Sequence, residues 1–495
     1  MLGMHMGKTP SACRDDQKRL DTEDWLQRIN RASIIANYES GLLDEANARK
    51  LVKALDEMEA ESREADFVRR ELYITFEPDM LKRAGMSASV VHVGRSSQDI
   101  LATANAGLNL ERLEMVVDAL LEVKEALIGL AEREGGAVVP AYTNGVQAQP
   151  TLFGHYLAAQ DAVFGRDVER AFECLRRFDF CPMGSGVCNG TGWPLNNDRM
   201  AELLGFSRSA ENAFDAGQCA GNDLPLEISQ IITSAMLHVN AFIADFMVQY
   251  ATPRPWLVLQ SANGVYRSSA MPQKRNPGFV NDCRRDAGLV MGEAQGVLLR
   301  MQNLNLGMAD VRDVRIMESL CCDAAVTLRS FAEIVASIAV DREEALAVLN
   351  SGWTCTQEIA DRLVRAGGAD FRSGHGFASR LVTWATKHAV TPVTLRYEDV
   401  QSLWREFIEE VKIEGLSPEF PLSEEALQQA IQPDGILAGR RTKGSANPEF
   451  VAESIRAAKS RNEARQQQLR CLREKRSAVD AMLGETLKRL FGTVH

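Results

Sequence analysis

A short segment between residues 264 and 278 carries most of the residue types that could do chemistry. It contains the hydroxyl of Ser268, the amine of Lys274 and the amide of Asn276, and a glycine bounds it at each end. Glycine gives the backbone freedom at both ends, whereas two prolines stiffen the centre and prevent a helix from continuing. We therefore predict an anion-handling loop that can close over a ligand and reopen.

The order of residues in this loop resembles the signature of the aspartase/fumarase superfamily. Members share Gly-Ser-Ser-x-Met-Pro-x-Lys-x-Asn-Pro, and residues 267–277 differ from it only in Arg267, which stands at the leading glycine. A solvated connector is the ordinary alternative for a loop of this composition, but a connector does not require this order. The resemblance implies elimination of a leaving group from a succinyl compound, generally with release of fumarate.

The loop residues fit the demands of that reaction. Removing a proton beside a carboxylate builds negative charge on the carboxylate, so the site needs a positioned base and fixed donors. Ser268 is the expected base, and backbone N–H groups together with Lys274 must stabilise its alkoxide once water is excluded. Lys274 and Asn276 stand two residues apart in an extended segment, so both can face one carboxylate. Met271 is expected to pack the loop against substrate.

Composition excludes several other classes of function. The formal charge of −11 and the pI near 5.4 argue against a nucleic-acid partner, which would need a basic face. The ten cysteines have irregular spacings that match no zinc site, so no metal is expected and the thiols should be reduced and mostly buried. No glycine-rich nucleotide motif follows a strand, and no cofactor is predicted. The first thirty residues are polar, which favours a cytoplasmic enzyme.

The elements that must position the loop are helices. Apolar residues recur with helical periodicity in five segments, which are Leu110–Ala131, Leu224–Tyr250, Val280–Met301, Val314–Ala336 and Pro448–Leu487. The second is apolar nearly all round, but polar residues interrupt it too often for a membrane span, so no membrane partner is expected. Glycine and proline clusters, including residues 140–150 and 184–194, predict loops between helices. The protein is therefore predicted to be mainly α.

A second resemblance indicates one branch of this superfamily. Residues 92–99 read His-Val-Gly-Arg-Ser-Ser-Gln-Asp, similar to the His-Thr-Gly-Arg-Ser-Arg-Asn-Asp of argininosuccinate lyases. Further matches run in the family order through most of the chain, at residues 142–143, 148–150, 184–186, 201–206, 352–364 and 444–448. Carried over residue by residue, they imply substrate contacts from Ser96, Ser97, Gln98 and Gln149, and catalytic positions at Thr143 and Asn144.

The family fold implied by this resemblance is all-α, with three helical domains. We expect an N-terminal helical domain over residues 1–105, a central helical bundle over 106–363 and a C-terminal helical domain over 364–495. Members assemble as homotetramers around a twenty-helix core, and each site draws on three subunits. The segments near Ser96, Thr143 and Ser268 would then come from different chains.

The chain departs from argininosuccinate lyases at the leaving-group end. Asn144 replaces the family histidine, and Asn281 stands where the glutamate partnered with it is expected. Amides do not exchange protons near neutral pH, so this acid/base function is predicted to be absent. The alternative is that both amides form ordinary hydrogen bonds at helix ends. An alkylamine is already protonated and can leave without an acid, which favours an N-alkyl aspartate as substrate.

Other departures point the same way. Ser97 and Gln98 replace Arg-Asn, and Asn222 replaces an arginine that precedes the aspartate aligned with Asp223, so a guanidino-amino-acid pocket is not expected. Family members carry a tyrosine downstream of the signature loop. This chain lacks it, and Gly307 stands near its place. Arg312 or Arg315 could bind a second carboxylate.

The leading prediction is a carbon–nitrogen lyase that splits an N-substituted aspartate into fumarate and an amine, similar to lyases of the ethylenediamine-disuccinate type. One alternative is argininosuccinate lyase activity itself, with solvent supplying the proton. Another is a non-catalytic binding or structural role, as in crystallin relatives. The sequence leaves open the amine, the pathway and the physiological direction.

Overall fold

Long helices form the frame of the molecule. The computed structural model describes residues 20–64, 66–260, 265–306, 315–412 and 416–492, and within these ranges the chain forms sixteen α-helices and six short strands. The mostly helical architecture confirms the predicted class. The three domain boundaries stay predictions.

The first part of the chain forms three helices, which are followed by a helix of 38 residues. They are α1 (Thr22–Glu39), α2 (Glu45–Glu61), α3 (Tyr73–Ala84) and α4 (Ser97–Glu134), with a 3-10 turn over Met86–His92 before α4. Asp21 and Asp24 form a capping box at the start of α1, and Ser96 and Asp99 form one at the start of α4. These caps satisfy backbone N–H groups that have no partner within the helix.

The central part combines long helices with short antiparallel strand pairs. Its elements are β1 (Val138–Thr143), β2 (Val146–Leu152), α5 (Phe153–Phe178), α6 (Asn197–Leu203), α7 (Ala220–Tyr250), β3 (Leu257–Leu259), β4 (Tyr266–Arg267), β5 (Arg275–Asn276), α8 (Gly278–Met301), α9 (Arg315–Ser337) and β6 (Ile338–Val340). A π-helical turn over Asp215–Cys219 leads into α7. The strands pair as β1 with β2, β3 with β6 and β4 with β5.

The last part is a group of shorter helices followed by one very long helix. These are α10 (Arg342–Ser351), α11 (Thr356–Arg365), α12 (Phe371–Lys387), α13 (Tyr397–Val411), α14 (Glu424–Ile431), α15 (Pro433–Ala438) and α16 (Pro448–Phe491). Helices α11 to α15 surround a separate hydrophobic cluster that contains Phe377 and Trp404. In contrast, α16 returns to pack on α4, α5 and α1, and its Leu469, Leu483 and Phe491 join the main core.

The predicted periodicity of the central helices is confirmed. In α4, all seven apolar residues that marked the periodicity are buried, namely Leu113, Val116, Val117, Leu120, Leu121, Leu127 and Leu130. Burying an aliphatic side chain of this size contributes about 1.5–3 kcal/mol of transfer free energy. Helix α4 packs against α5, α9 and α16, so it is the axis of the main core.

Helix α7 lies inside the same bundle. The stretch Asp215–Tyr250 is long and apolar enough to cross a membrane by length and composition alone. Its side chains instead pack against α5, α8 and α9, with Ile232, Val239 and Phe242 buried in the main core. Other apolar side chains of this helix are exposed, among them Leu237 and Val248.

The prediction of a plain loop over residues 140–150 was wrong. The segment forms the β1–β2 hairpin, in which Pro140 lies directly opposite Pro150. Proline cannot donate a ladder hydrogen bond, but each strand of a two-stranded hairpin is an edge strand, where that loss is tolerated. Because the prolines interrupt any alternation of apolar and polar residues, the sequence gives no strand signal here.

Candidate active site

The signature loop is a small β-hairpin between α7 and α8. Tyr266 pairs with Asn276 in the β4–β5 ladder, and the Ser268 backbone N–H donates to the Lys274 carbonyl at 3.2 Å. The Tyr250 hydroxyl at the end of α7 donates to the Arg275 carbonyl at 3.3 Å. Residues 268–274 therefore form the tip of a hairpin that is anchored at its base. Gly264, which was predicted to give the loop its freedom at the other end, lies outside the described residues.

Two backbone N–H groups donate to the Ser268 hydroxyl. Its Oγ accepts the N–H of Met271 at 3.2 Å and the N–H of Ala270 at 3.4 Å. Two N–H dipoles directed at one oxygen favour its negative form, which is the stabilisation that a serine base requires. The Lys274 and Met271 side chains are exposed at this tip, where they can meet a ligand.

Asn276 keeps one donor for a ligand. Its Nδ2 donates to the Tyr266 carbonyl at 3.4 Å, and a primary amide has a second N–H. The Tyr266 ring also covers Gly278, where a Cβ would lie 2.8 Å from Tyr266 Cε1. A side chain at position 278 would therefore displace the Tyr266 ring, which packs over Gly278.

Thr143 and Asn144 lie at the exposed tip of the β1–β2 hairpin. Thr143 is the last residue of β1 and pairs with Val146, so Asn144 and Gly145 form a two-residue turn. Both turn residues have positive φ, 52° for Asn144 and 75° for Gly145. Asn-Gly is the favoured pair for such a turn. The backbone conformation therefore explains the presence of asparagine at position 144, in addition to the chemical explanation inferred from the sequence. It does not lie at a helix end.

Gln149 in β2 is held by the C-terminal part of the chain. Its Nε2 donates to Oε1 of Gln357 in the first turn of α11. On the same strand, Gln147 Nε2 donates to the Val348 carbonyl in α10 at 3.2 Å. Two glutamines therefore fasten the hairpin to the helices that follow the bundle. Gln357 was not identified from the sequence, because the pair is 208 residues apart.

Ser96, Ser97 and Gln98 form the start of α4. Ser96 Oγ accepts the Gln98 N–H at 3.2 Å, and Gln98 Nε2 donates to the Gly217 carbonyl at 2.7 Å. This second bond ties the start of α4 to the π-helical turn before α7. Ser97 is half-buried in the first helical turn. Serine hydroxyls at a helix N-terminus can bind an anionic group, as the resemblance implies for this segment.

Asp99 organises this end of the bundle and was not singled out from the sequence. Its Oδ1 accepts the Ser96 N–H at 2.9 Å, and its Oδ2 accepts the N–H groups of Gly184 at 3.2 Å and Gly186 at 3.0 Å. The carboxyl is fully buried, and burial raises its pKa to about 6. The Ser-x-x-Asp capping pattern could have identified the local bond, but not the contacts to residues 184 and 186.

The neighbouring Arg95 and His92 face the N-terminal helices. Arg95 is buried and donates to Asn30 at 3.1 Å, to Ser33 at 2.8 Å and to the Tyr73 hydroxyl at 2.9 Å. The His92 ring stacks on Tyr73, and burial together with the charge of Arg95 lowers the pKa of His92. Both side chains are explained by packing within the chain.

Of the remaining predicted residues, Asn281 and Arg315 lie within the described ranges. Asn281 lies exposed in the first turn of α8, where its N–H donates to the Pro277 carbonyl at 3.1 Å. Arg315 is the first residue of α9 and is exposed. Arg312 and Gly307 lie outside the described residues. Across the described ranges, no group of three or more His, Cys, Asp or Glu side chains is arranged to hold a metal ion.

One chain does not bring all the predicted site segments together. Gln98 contacts Gly217 at the start of α7, whereas the signature loop is anchored to Tyr250 at its end. Helix α7 has 31 residues, which at 1.5 Å per residue span about 45 Å. The β1–β2 hairpin follows the other end of α4, where the Phe153 N–H donates to the Ala137 carbonyl at 2.8 Å. Ser96 to Gln98 therefore lie at the opposite end of the bundle from Ser268.

Two family models match the sequence. The model of a family described as lyase matches residues 11–292, which is more than half of the chain. A model described as argininosuccinate lyase C-terminal matches residues 353–438, the region of α11 to α15.

Known proteins agree with these matches. The argininosuccinate lyase of Pelotomaculum thermopropionicum is 27% identical over 430 residues, covering 85% of this chain and 89% of its own length. That of Methanocorpusculum labreanum is 29% identical over 449 residues, covering 87% and 86%. Among solved structures, EDDS lyase in complex with formate shares the fold with a TM-score of 0.83 at 22% identity, covering 96% and 92%.

A second solved structure shares the fold less closely. Class II fumarase from Schistosoma mansoni has a TM-score of 0.65 at 18% identity, covering 85% of this chain and 91% of its own. The family matches, the relatives and the shared fold all agree with the signature loop. The chain therefore belongs to the lyase family, as a fumarate-releasing carbon–nitrogen lyase of the argininosuccinate lyase branch of the aspartase/fumarase superfamily.

Proposed function

We propose that this enzyme cleaves an N-substituted aspartate, a succinyl-amine, into fumarate and an amine, with Ser268 as the base. The observation that carries the proposal is the pair of backbone N–H groups, from Ala270 and Met271, directed at Ser268 Oγ. This arrangement lowers the free energy of the alkoxide and leaves Oγ at the tip of a hairpin that can approach a substrate.

The other loop residues bind the part of the substrate that becomes fumarate. Lys274 supplies a positive charge, and Asn276 supplies its second amide N–H, so that together they stabilise the carboxylate that gains charge in the transition state. Met271 packs against the carbon skeleton. We propose that Ser96, Ser97, Gln98, Thr143 and Gln149 complete the site, and that Arg312 or Arg315 binds a further carboxylate.

The leaving group departs as an amine without a dedicated protein acid. Asn144 holds a tight turn and cannot exchange protons near neutral pH, and the exposed Asn281 is also an amide. An alkylamine leaving group fits this arrangement, because the substrate nitrogen is already protonated at neutral pH. The amine-side contacts therefore need only to position the substrate.

The active enzyme is proposed to be a homotetramer whose sites are shared between subunits. The length of α7 separates Gln98 from Ser268 within one chain, so a complete site needs segments from more than one copy. Helices α7 and α8 also expose large apolar side chains, among them Leu237 and Leu289, which are 54% and 62% exposed. Apolar faces of this kind are typical of subunit interfaces. A cytoplasmic location stays a prediction.

The proposal is tested by following fumarate absorbance with a panel of purified compounds. The panel is N-(2-aminoethyl)aspartate, ethylenediamine disuccinate, argininosuccinate and aspartate. We expect turnover of at least one of the first two, and slower or no turnover of the last two. If none of the four yields fumarate, the substrate assignment is wrong.

A second candidate is argininosuccinate cleavage. The relatives named argininosuccinate lyase cover most of the chain, and the C-terminal family match falls on the same branch. In this case solvent would supply the proton that the missing histidine does not. Growth of an arginine auxotroph on minimal medium, together with arginine release from argininosuccinate in vitro, would favour this candidate over the first.

A further inference from the structure

The end of α7 is fastened to the signature hairpin by the side chain of Tyr250. Its hydroxyl donates to the Arg275 carbonyl at 3.3 Å, and Arg275 stands between Lys274 and Asn276. In the part of the chain that the structure describes, no other hydrogen bond joins residues 266–276 to another element. The position of the hairpin relative to the helical bundle therefore depends on this contact.

The last turn of α7 holds the Tyr250 side chain in place. The Tyr250 ring stacks on the ring of Phe246, which is buried, with 5.4 Å between the two centroids. The preceding residue, Gln249, is also buried, and its Oε1 accepts the indole N–H of Trp256 at 2.8 Å. Because both contacts fix this turn, the packing of α7 determines where the Tyr250 hydroxyl can donate.

Arg275 extends this support from the base of the hairpin to its tip. Its carbonyl accepts the Tyr250 hydroxyl, and its guanidinium Nη1 donates to the Pro272 carbonyl at 2.9 Å. Pro272 directly follows Met271, whose N–H donates to Ser268 Oγ at 3.2 Å. A series of hydrogen bonds between neighbouring residues therefore connects the end of α7 with the proposed base. Tyr250 and Arg275 together are called the hairpin anchor below.

We propose that the hairpin anchor consists of two positioning residues, which hold Ser268, Lys274 and Asn276 in the arrangement that binds the fumarate-forming end of the substrate. This inference rests on the proposed function, because that function assigns the three side chains their tasks. Tyr250 lies outside the family signature and Arg275 occupies one of its variable positions, so the sequence pattern selected neither residue. A hairpin that is correctly placed for only part of the time binds its ligand more weakly in proportion to that fraction.

Hydrogen–deuterium exchange tests the anchor without any substrate. Tyr250→Phe keeps the ring that stacks on Phe246 and removes only the hydroxyl. We expect the peptide that covers residues 266–276 to exchange about 2–10-fold faster in this variant, as the loss of one neutral hydrogen bond would give. Arg275→Met removes the link to Pro272 and should also raise the exchange rate of this peptide, which gives a second measurement in a protein that keeps Tyr250.

The matched control is Tyr156→Phe. The Tyr156 hydroxyl donates to Asp245 Oδ2 on α7 at 3.0 Å, and its ring stacks on Phe153, so this variant also removes one tyrosine hydroxyl bond at α7. The bond lies away from the hairpin. The exchange rate of residues 266–276 should therefore equal that of the wild type.

Calorimetry with fumarate tests whether the anchor serves binding. We expect Tyr250→Phe to bind fumarate about 2–10-fold more weakly than the wild type, and Tyr156→Phe to bind it with wild-type affinity. An exchange rate in Tyr250→Phe equal to that of the wild type would overturn the inference, and so would equal fumarate affinities of the two tyrosine variants. Failure of the wild type to bind fumarate would contradict the proposed function, whereas the exchange rates would still decide whether the anchor holds the hairpin.

Discussion

The backbone N–H of Met271 donates to Ser268 Oγ at 3.2 Å, across the tip of the signature hairpin. This contact places a dipole on the oxygen that is proposed to remove the substrate proton. Because a serine hydroxyl is a weak acid, the contact is the kind of support that the proposed role needs. It also couples the shape of the hairpin tip to the reactivity of the base.

Replacing Ser268 with alanine should remove activity and preserve the fold. The hydroxyl is half-buried at an exposed tip, so its loss costs little stability. Loss of a general base lowers the rate by about 10²–10⁴-fold. Fumarate release by Ser268→Ala should be compared with that of Ser269→Ala, which removes the adjacent exposed hydroxyl. Near-normal kcat in Ser268→Ala at unchanged oligomeric state would show that another group is the base.

Replacing Gln357 with alanine should raise KM more than it lowers kcat. Gln357 Oε1 accepts a hydrogen bond from Gln149 Nε2, and so fixes the direction of an amide that is proposed to contact substrate. A neutral hydrogen bond is worth about 0.5–1.5 kcal/mol, which corresponds to a rise in KM of about 2–10-fold. Gln428→Ala, on the neighbouring helix α14, is the control. Identical kinetics for the two variants would leave Gln357 without a positioning role.

Replacing Asn144 with alanine should destabilise the hairpin, whereas replacement with glycine should be tolerated. Asn144 has a φ of 52°, in the left-handed region where a residue with a Cβ is strained. Outside glycine and asparagine this conformation costs about 1–2 kcal/mol. Thermal unfolding should show a lower Tm for Asn144→Ala than for Asn144→Gly. The kinetics of the glycine variant then report the chemical contribution of the amide, because the turn is kept. Equal Tm values would remove the conformational explanation.

Glu111 should make the stability of the protein depend on pH. Arg28 is engaged by Asp480 in a two-bond pair at 2.7 and 2.8 Å, and its nearest distance to Glu111 is 3.6 Å. Burial, only partly opposed by Arg28, raises the pKa of Glu111 from 4.5 to about 7. The folded state therefore keeps a proton that the unfolded state releases above pH 4.5, so this contribution is present at low pH and is lost as the pH rises towards 7.

The variant Glu111→Gln isolates that contribution. Glutamine resembles the protonated acid and does not titrate, so the free energy of unfolding of the variant relative to the wild type should increase between pH 4.5 and 7. Urea unfolding at several pH values measures this difference. The control is Glu449→Gln, an exposed acid near the start of α16. A difference that stays constant with pH would mean that Glu111 titrates alike in both states.

Introducing a charge on the exposed apolar face of α8 should dissociate the proposed tetramer. Leu289 is 62% exposed in the isolated chain, and its replacement by aspartate would place a charge in a subunit interface. Sedimentation should show smaller species with lower activity, since the sites are proposed to be shared. Leu346→Asp on α10, where the leucine is 43% exposed, is the control. A Leu289→Asp protein that is smaller but fully active would refute shared sites.

The helices and the signature loop could be predicted from the sequence because their signals are local. Helical periodicity depends on neighbours within a few turns, and the confirmed α4, α7, α8, α9 and α16 are long enough to display it. The signature loop owes its recognition to eleven consecutive residues, 267–277. The β1–β2 hairpin was missed because its strands are short edges that contain Pro140 and Pro150.

The sequence by itself determined the family, the class of reaction and the residues of the signature loop. Only the tertiary structure decided which distant groups meet, such as Asp99 with Gly184, and Gln149 with Gln357. It also placed Gln98 and Ser268 at opposite ends of α7. The physical reason is that hydrogen bonds between distant segments depend on how helices pack, and packing is a property of the whole core that no short pattern of residues records.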